Sequence, residues 1–347
     1  MYRNNFMMSS SNCYDDTYLV LRCEPNKDDH IPTQFYFLSG EKFKNRVKID
    51  WPPPFQEYDR EIFILGSVSI NGILCLKQSY NPRLVLWNPT TSEFKLVPLS
   101  PFKSAPPLRD PFYVLHGFGY DPVTNDYKVI QFVDSIPLVI GDNYIHHRSY
   151  ETFWEIYSLR SNSWRKLDLC IPNRYYYTLD RGIGVYTNGV CHWWARTDDS
   201  VIFEECLVSF NFSNEELITT PAPLYLYVNS RCFKFVERRL VLLNETVALI
   251  STYLETGTFH ISILGELGVR ESWTKLFIVE QLPLIGCPIG AGKKSNILFF
   301  QKTDGKLAWV DLSTKMIEED LGVKGWLFGC HIGKYKKSFR PIGGLNN

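Results

Sequence analysis

Leu86-Trp87-Asn88-Pro89-Thr90-Thr91-Ser92-Glu93-Phe94-Lys95-Leu96 reads as a β-hairpin. An apolar run stops at Asn-Pro, a polar turn follows, and Phe94-Lys95-Leu96 resumes in alternation. The phrase recurs as Ile156-Tyr157-Ser158-Leu159-Arg160-Ser161-Asn162-Ser163-Trp164-Arg165-Lys166-Leu167, as Ser209-Phe210-Asn211-Phe212-Ser213-Asn214-Glu215-Glu216-Leu217, and as Trp309-Val310-Asp311-Leu312-Ser313-Thr314-Lys315-Met316-Ile317. The polar positions Asn88, Ser158, Asn211 and Asp311 are 70, 53 and 100 residues apart, and the last gap holds a degenerate copy from Ile261 to Leu276. Five units of roughly 50 residues result.

A second hairpin leads into some units: Gly66 to Cys75 with its Asn71-Gly72 turn, and Gly184 to Trp193 with Asn188-Gly189. Asp304-Gly305 has the same character, since such dipeptides accept the positive φ of tight two-residue turns. Further short runs, including Leu19-Val20-Leu21, Leu240-Val241-Leu242-Leu243 and Ile297-Leu298-Phe299-Phe300, read as strands. The 20 prolines and 22 glycines interrupt any long helix, leaving a short helical candidate at Phe43 to Ile49. Four strands per unit, repeated, predict an all-β chain folded as a β-propeller. Six blades are expected, with seven as the alternative count. The sixth would pair N-terminal strands near Tyr18 to Cys23 and Gln34 to Leu38 with C-terminal strands near Leu327 to Ile332 and Lys337 to Ile342.

Composition bounds the function classes. The 347 residues carry 37 basic and 37 acidic side chains, so no net field draws the chain to nucleic acid or to an anionic membrane. No apolar run is long enough to span a bilayer, and the first residues lack the apolar core of a signal peptide. Nine scattered cysteines, without a Cys-x-x-Cys pair, read as reduced and mostly buried thiols of the cytoplasm or nucleus, and no metal site is expected. The sequons at Asn211 and Asn244 are read as chance matches. The recurrent Trp87, Trp164, Trp193, Trp273 and Trp309 are read as packing between blades.

Candidates for chemistry are weak. Gly286-Cys287-Pro288-Ile289-Gly290-Ala291-Gly292-Lys293-Lys294-Ser295 superficially matches a phosphate loop, but its glycine spacing is wrong and Pro288 removes a backbone donor. His146-His147 reads as a surface loop, and His192 as a packed strand residue. The acidic groups Asp198-Asp199, Glu204-Glu205 and Glu318-Glu319-Asp320 read as solvated turns. No catalytic residue and no cofactor follow from these patterns. Recognition is placed instead in three segments outside the repeat: Pro98 to Pro111, Asp134 to Tyr150, and Asn173 to Tyr177. The candidate contact residues are Arg109, Tyr144, His146, Arg174, Tyr175 and Tyr176.

The ordered set Gly72-Ile73-Leu74-Cys75-Leu76, Leu86-Trp87-Asn88-Pro89-Thr90-Thr91, Gly117-Phe118-Gly119-Tyr120-Asp121-Pro122-Val123-Thr124-Asn125-Asp126-Tyr127-Lys128-Val129, Gly184 to Trp194 and Glu271-Ser272-Trp273-Thr274-Lys275-Leu276 resembles the F-box-associated interaction domain of plant F-box proteins, the S-locus and F-box/kelch-repeat types included. The resemblance runs from about Ile62 to Ile342 and implies a kelch-like propeller that captures target proteins for an SCF-type ubiquitin ligase. It divides the chain into a remnant at 1–17, the domain at 18–342 and a tail at 343–347. The helical F-box that docks the ligase adaptor is not found ahead of the first strand, so adaptor and cullin contacts are expected only if one lies upstream. The alternative reading is a kelch-like propeller enzyme or carbohydrate-binding protein.

Overall fold

The computed structural model describes residues 17–24, 32–40, 43–52, 54–55, 62–78, 83–102, 111–135, 153–169, 175–177, 184–197, 204–223, 236–253, 256–279, 285–292, 296–314, 316–326 and 329–342. These form six antiparallel blades. Blade 1 is β4 (Ile62–Ile70), β5 (Ile73–Gln78), β6 (Leu84–Asn88) and β7 (Glu93–Val97). Blade 2 is β8 (Pro111–Asp121), β9 (Asp126–Ser135), β10 (Phe153–Ser158) and β11 (Ser163–Leu167). Blade 3 has a split inner strand, β12 (Tyr175–Tyr177) and β13 (Val185–Thr187), followed by β14 (Val190–Thr197), β15 (Glu205–Asn211) and β16 (Leu217–Pro221). Blade 4 is β17 (Val236–Leu243), β18 (Thr246–Tyr253), β19 (Thr258–Leu264) and β20 (Trp273–Val279). Blade 5 is β21 (Ile285–Ala291), β22 (Ile297–Lys302), β23 (Lys306–Asp311) and β24 (Ile317–Lys324). Blade 6 takes its inner strand β25 (Cys330–Lys336) from one end of the chain, and β1 (Thr17–Cys23), β2 (Gln34–Ser39) and β3 (Asn45–Ile49) from the other.

The five repeated phrases are the outer hairpins of blades 1 to 5. Their turns are built by local side-chain bonds. Asn88 accepts from the Thr90 N–H at 3.0 Å, Asn211 from Ser213 at 2.8 Å and Asp311 from Ser313 at 2.8 Å. Asn and Asp do this because their short side chains reach the backbone two residues on. Asn71 and Gly72, at φ 52° and 81°, and Asn188 and Gly189, at 49° and 82°, make the expected tight turns.

A four-stranded sheet has two faces, and each blade covers both against its neighbours. Six apolar clusters result, one in every gap between blades. Leu86 and Val97 meet Val129 and Trp164 between blades 1 and 2. Ile130 and Trp154 meet Trp193 and Phe210 between blades 2 and 3, while Trp194 and Leu207 meet Leu240 and Trp273 between 3 and 4. Ile250 and Phe259 meet Leu298 and Val310 between 4 and 5, and Phe299 meets Leu19 and Ile332 between 5 and 6. Val20 and Tyr335 meet Ile64 and Trp87 between 6 and 1, which closes the ring. All five tryptophans of the repeats lie in or against these clusters. They come from three different strand positions, however, so the recurrence is looser than the sequence implied. Trp164 and Trp273 are true equivalents: each indole N–H donates to the carbonyl at the end of the preceding blade's outer strand, Pro98 at 2.7 Å and Pro221 at 3.1 Å.

Three expectations about the ends of the chain need correction. Asn45–Ile49 is strand, not helix, because it pairs with β2 from Phe35↔Ile49 to Ser39↔Asn45 and its exposed Arg46 and Lys48 suit an outer edge. The C-terminus gives blade 6 one strand rather than two. After Lys336 the chain leaves the sheet as a strap across blade 1, where Asn88 Nδ2 donates to the carbonyls of Ser338 (2.9 Å) and Arg340 (3.2 Å) and Glu93 accepts from the Ile342 N–H (3.0 Å). Ile342 then enters the core between blades 1 and 2. Gly72 leaves room for this crossing, since a Cβ there would lie 2.4 Å from Ser338. At the other end, Thr17 already belongs to β1.

The Gly117-Phe118-Gly119 motif has a packing cause. A Cβ on Gly119 would stand 2.0 Å from the ring of the fully buried Phe212 in the next blade. Gly119→Ala is therefore expected to cost about 2 kcal/mol through overpacking. Urea unfolding checks this, and Phe212→Leu in the same chain should recover part of the loss.

Candidate protein-binding face

Every blade has two ends. At one, the first strand turns into the second and the third into the fourth; at the other, the second meets the third and the chain crosses to the next blade. The first end is closed by short turns. A dense network there surrounds Asp121, fully buried at the end of β8. The carboxylate accepts from Val123 N–H (2.9 Å), Thr124 Oγ1 (2.5 Å), Ser213 Oγ (2.7 Å) and Lys128 Nζ (2.8 Å). Lys128 also donates to the Phe212 carbonyl at 3.1 Å, so the ion pair ties blade 2 to blade 3. Burial works to raise the Asp121 pKa, but these donors outweigh it and hold the carboxyl well below its ordinary value.

A cleft of about 320 Å³ opens at this end between blades 1 and 2, lined by Glu93, Lys95, Asp126, Tyr127, Arg160 and Ile342 among others. Its acids are committed to the fold: Glu93 holds the strap, and Asp126 accepts from Ser158 Oγ (2.5 Å) and the Arg160 N–H (2.9 Å).

The three segments singled out from the sequence all leave and rejoin the sheets at the opposite end. Arg109, Tyr144, His146, Arg174 and His147 lie outside the described residues. Tyr175 and Tyr176 are not in an irregular loop: their backbone forms β12, opposite Thr197 and Arg196, because blade 3 needs an inner strand beside the far half of β14. Pro98 to Phe102 is partly structural, with Pro98 bonded to Trp164 and Ser100 Oγ donating to the buried Glu155 at 2.6 Å.

The connection from β24 to β25 at this same end presents Trp326, 39% exposed. It is held firmly. Trp326 N–H donates to the Glu24 carbonyl at 2.7 Å, and Gln301 Nε2 donates to the carbonyls of Gly325 and Trp326, each at 2.9 Å. Arg22, buried, reaches Ile62 O (2.6 Å), Gly329 O (2.9 Å) and Glu24 Oε2 (2.9 Å), joining this connection to blade 1. An aromatic ring carried on a fixed backbone costs less ordering on contact than one on a mobile loop, which suits it to a binding hot spot. The sequence marked only the tryptophans of the repeat; the flanking Gly325 and Gly329 were the available sign that this one stands outside it.

The remaining candidates resolve structurally. His192 is buried, with Nδ1 2.8 Å from Ser209 Oγ, and burial pushes its pKa down to about 4. Gly286 to Ala291 belongs to strand β21, while Lys293 to Ser295 lie outside the described residues. Glu205 is not a solvated turn residue: it is buried in β15 and accepts from Arg238 Nε of blade 4 at 3.1 Å. Glu318 to Asp320 are in strand β24, and Asp198 and Asp199 lie outside the described residues. Among the described residues no group of three His, Cys, Asp or Glu side chains is placed to hold a metal, and no helix could cross a membrane.

Two stability measurements check this electrostatic picture. Asp121→Asn should cost about 2 kcal/mol in urea unfolding, since it removes the nearer counter-charge of the buried Lys128 ammonium and leaves only Glu215 Oε1, 3.7 Å away. His331 is buried and its pKa is pushed down to about 3, by desolvation first and then by Arg239 and Arg22. Its unfolded value is near 6.5, so between these limits the unfolded chain binds the proton and the folded chain does not. Stability is therefore full above pH ~6.5 and falls on acidification by up to ~1.4 kcal/mol per pH unit for this group. Thermal melts from pH 7 to 4 should show the decline, and His331→Gln should reduce its slope, with buried His192 supplying a further part.

A family model described as the F-box associated beta propeller domain matches residues 15–335. The chain is 26% identical over 299 residues to F-box protein At4g22390 of Arabidopsis thaliana, covering 81% of this chain and 71% of that one. It is 26% identical over 259 residues to F-box protein CPR1 of the same plant, covering 71% and 61%, and 26% identical over 212 residues to the F-box/kelch-repeat protein At3g23880, covering 61% and 52%. The matched regions thus span between about half and seven-tenths of these relatives. With six blades, a closed ring and a match over nearly its whole length, the chain belongs to the F-box associated beta propeller domain family.

Proposed function

We propose that this propeller is the target-binding module of an SCF-type ubiquitin ligase receptor, and that it captures its target protein on the end that carries Trp326. One observation carries this reading: the two ends of the ring differ in kind. The end with the Asp121 network is closed by short turns whose Asn and Asp side chains bond back to the fold. The other supports the long connections of blades 1 to 3 and an exposed, firmly seated tryptophan. Loops on a rigid scaffold supply specificity without disturbing the core. The family membership supports a protein-interaction role, and the balanced charge of the chain fits recognition by local contacts. Such a receptor would work in the cytoplasm or nucleus, and adaptor and cullin would join through an F-box elsewhere in the assembled protein.

The test compares proteins captured from plant extract by wild type, Trp326→Ala, a chain with 136–150 replaced by a Gly-Ser linker, and Val123→Asp on the opposite end, where Val123 is 77% exposed. Quantitative mass spectrometry should show one partner set retained by wild type and Val123→Asp, and reduced at least ~10-fold by Trp326→Ala, as expected of a hot spot. Loss with Val123→Asp but not with Trp326→Ala would place the contact on the other end.

A further inference from the structure

The ring is closed by β1 and β25, which pair over Thr17↔Lys336 to Cys23↔Cys330. At the last pair two cysteines face each other directly. Their sulfurs are 3.3 Å apart, with the Cys330 thiol donating to Cys23 Sγ, and both residues are at most 2% exposed. Opposed residues of antiparallel strands have Cα atoms ~4.5 to 5.5 Å apart, inside the 4.4 to 6.8 Å range that a disulfide spans. The space around the sulfurs is kept for them: a Cβ at Gly325 would lie 2.5 Å from Cys330 Sγ and 2.7 Å from Cys23 Sγ.

We propose that Cys23 and Cys330 are an oxidisable pair whose disulfide locks the propeller ring shut. The two thiols have unequal roles. The Cys330 hydrogen bond lowers the Cys23 pKa against the opposing effect of burial, with help from Arg22 and Arg46, while the same contact raises that of Cys330. Cys23 is thus the nucleophile and Cys330 the resolving thiol. With hydrogen peroxide as oxidant, the Cys23 thiolate attacks one peroxide oxygen, the O–O bond breaks, and Cys23 sulfenic acid and hydroxide form. Cys330 sulfur then attacks the Cys23 sulfur, expelling the sulfenic oxygen as hydroxide while the Cys330 proton is released. The two thiols lose two electrons, and the peroxide ends as two waters. The bond would join strands separated by 307 positions in sequence, closing nearly the whole chain into a covalent loop. Loops of that length restrict the unfolded chain most.

The experiment treats the folded chain with hydrogen peroxide and reads intact mass, non-reduced peptide maps and thermal melts, with the urea-unfolded chain as a control for oxidation chemistry. The expected result is a loss of two hydrogens, a peptide linking Cys23 to Cys330, and a melting temperature raised by roughly 5 to 10 °C. Reductant should reverse all three changes. In Cys330→Ser, or in Cys330→Ala should the first fail to fold, dimedone should label Cys23; Cys23→Ser should abolish both the link and the shift. Three results would overturn the proposal: a disulfide of Cys330 with the neighbouring Cys287 instead, no link under peroxide that oxidises the unfolded chain, or a Cys23–Cys330 link that leaves the melt unchanged.

Discussion

A blade with two apolar faces is stable only if both are covered, and the rest of this structure follows from that requirement. Blade 1 cannot hide Trp87 and Val85 without blade 6, and blade 5 cannot hide Phe299 without the same partner. The ring therefore depends on the pairing of β1 with β25, which converts a row of sheets with two exposed ends into a closed set of six interfaces. The strap from Lys337 to Ile342 extends that closure over blade 1 and plants its last apolar residue in the neighbouring core.

Closure also divides the molecule's labour. Polar groups taken out of water must be paired, and the propeller places its buried polar groups where blades must be held in register: the Lys128–Asp121 pair of blade 2 bonds to Phe212 and Ser213 of blade 3, Glu205 pairs with Arg238 between 3 and 4, and Arg22 joins 6 to 1. These contacts fix the geometry of both ends. At one they finish the turns, and at the other they provide the base on which Trp326 and the longer connections stand. Side chains can vary there without loss of the ring.

What the sequence disclosed is what local chemistry encodes. The outer hairpins were legible because Asn88, Asn211 and Asp311 bond to the backbone two residues ahead, and the Asn-Gly turns because both residues accept positive φ. The turn at Asn244-Glu245 has the same geometry, φ 48° and 61°, but Glu carries no such signal and it went unmarked. Blade 6 was expected in outline and mistaken in detail, because the pairing of residues 17–23 with 330–336 leaves no local trace and β3 is too short to declare its period. Glu205 looked solvated because its partner Arg238 lies 33 residues away. Trp326 stands outside the repeat, and its flanking Gly325 and Gly329 were too weak a sign to single it out. The F-box-associated resemblance ran further than the local reading because it rests on the ordered set of motifs rather than on any one.

Closure by β1 and β25 is the claim on which the account stands, and amide hydrogen exchange on the reduced chain tests it most directly. The full chain should show slow exchange in 17–23 and 330–336 together with the inner strands of all six blades. A chain ending at Gly329, which lacks β25, should lose protection around the whole ring. If β4, β8 and β17 kept their protection in that shortened chain, the blades would be stable without closure, and the account would be wrong.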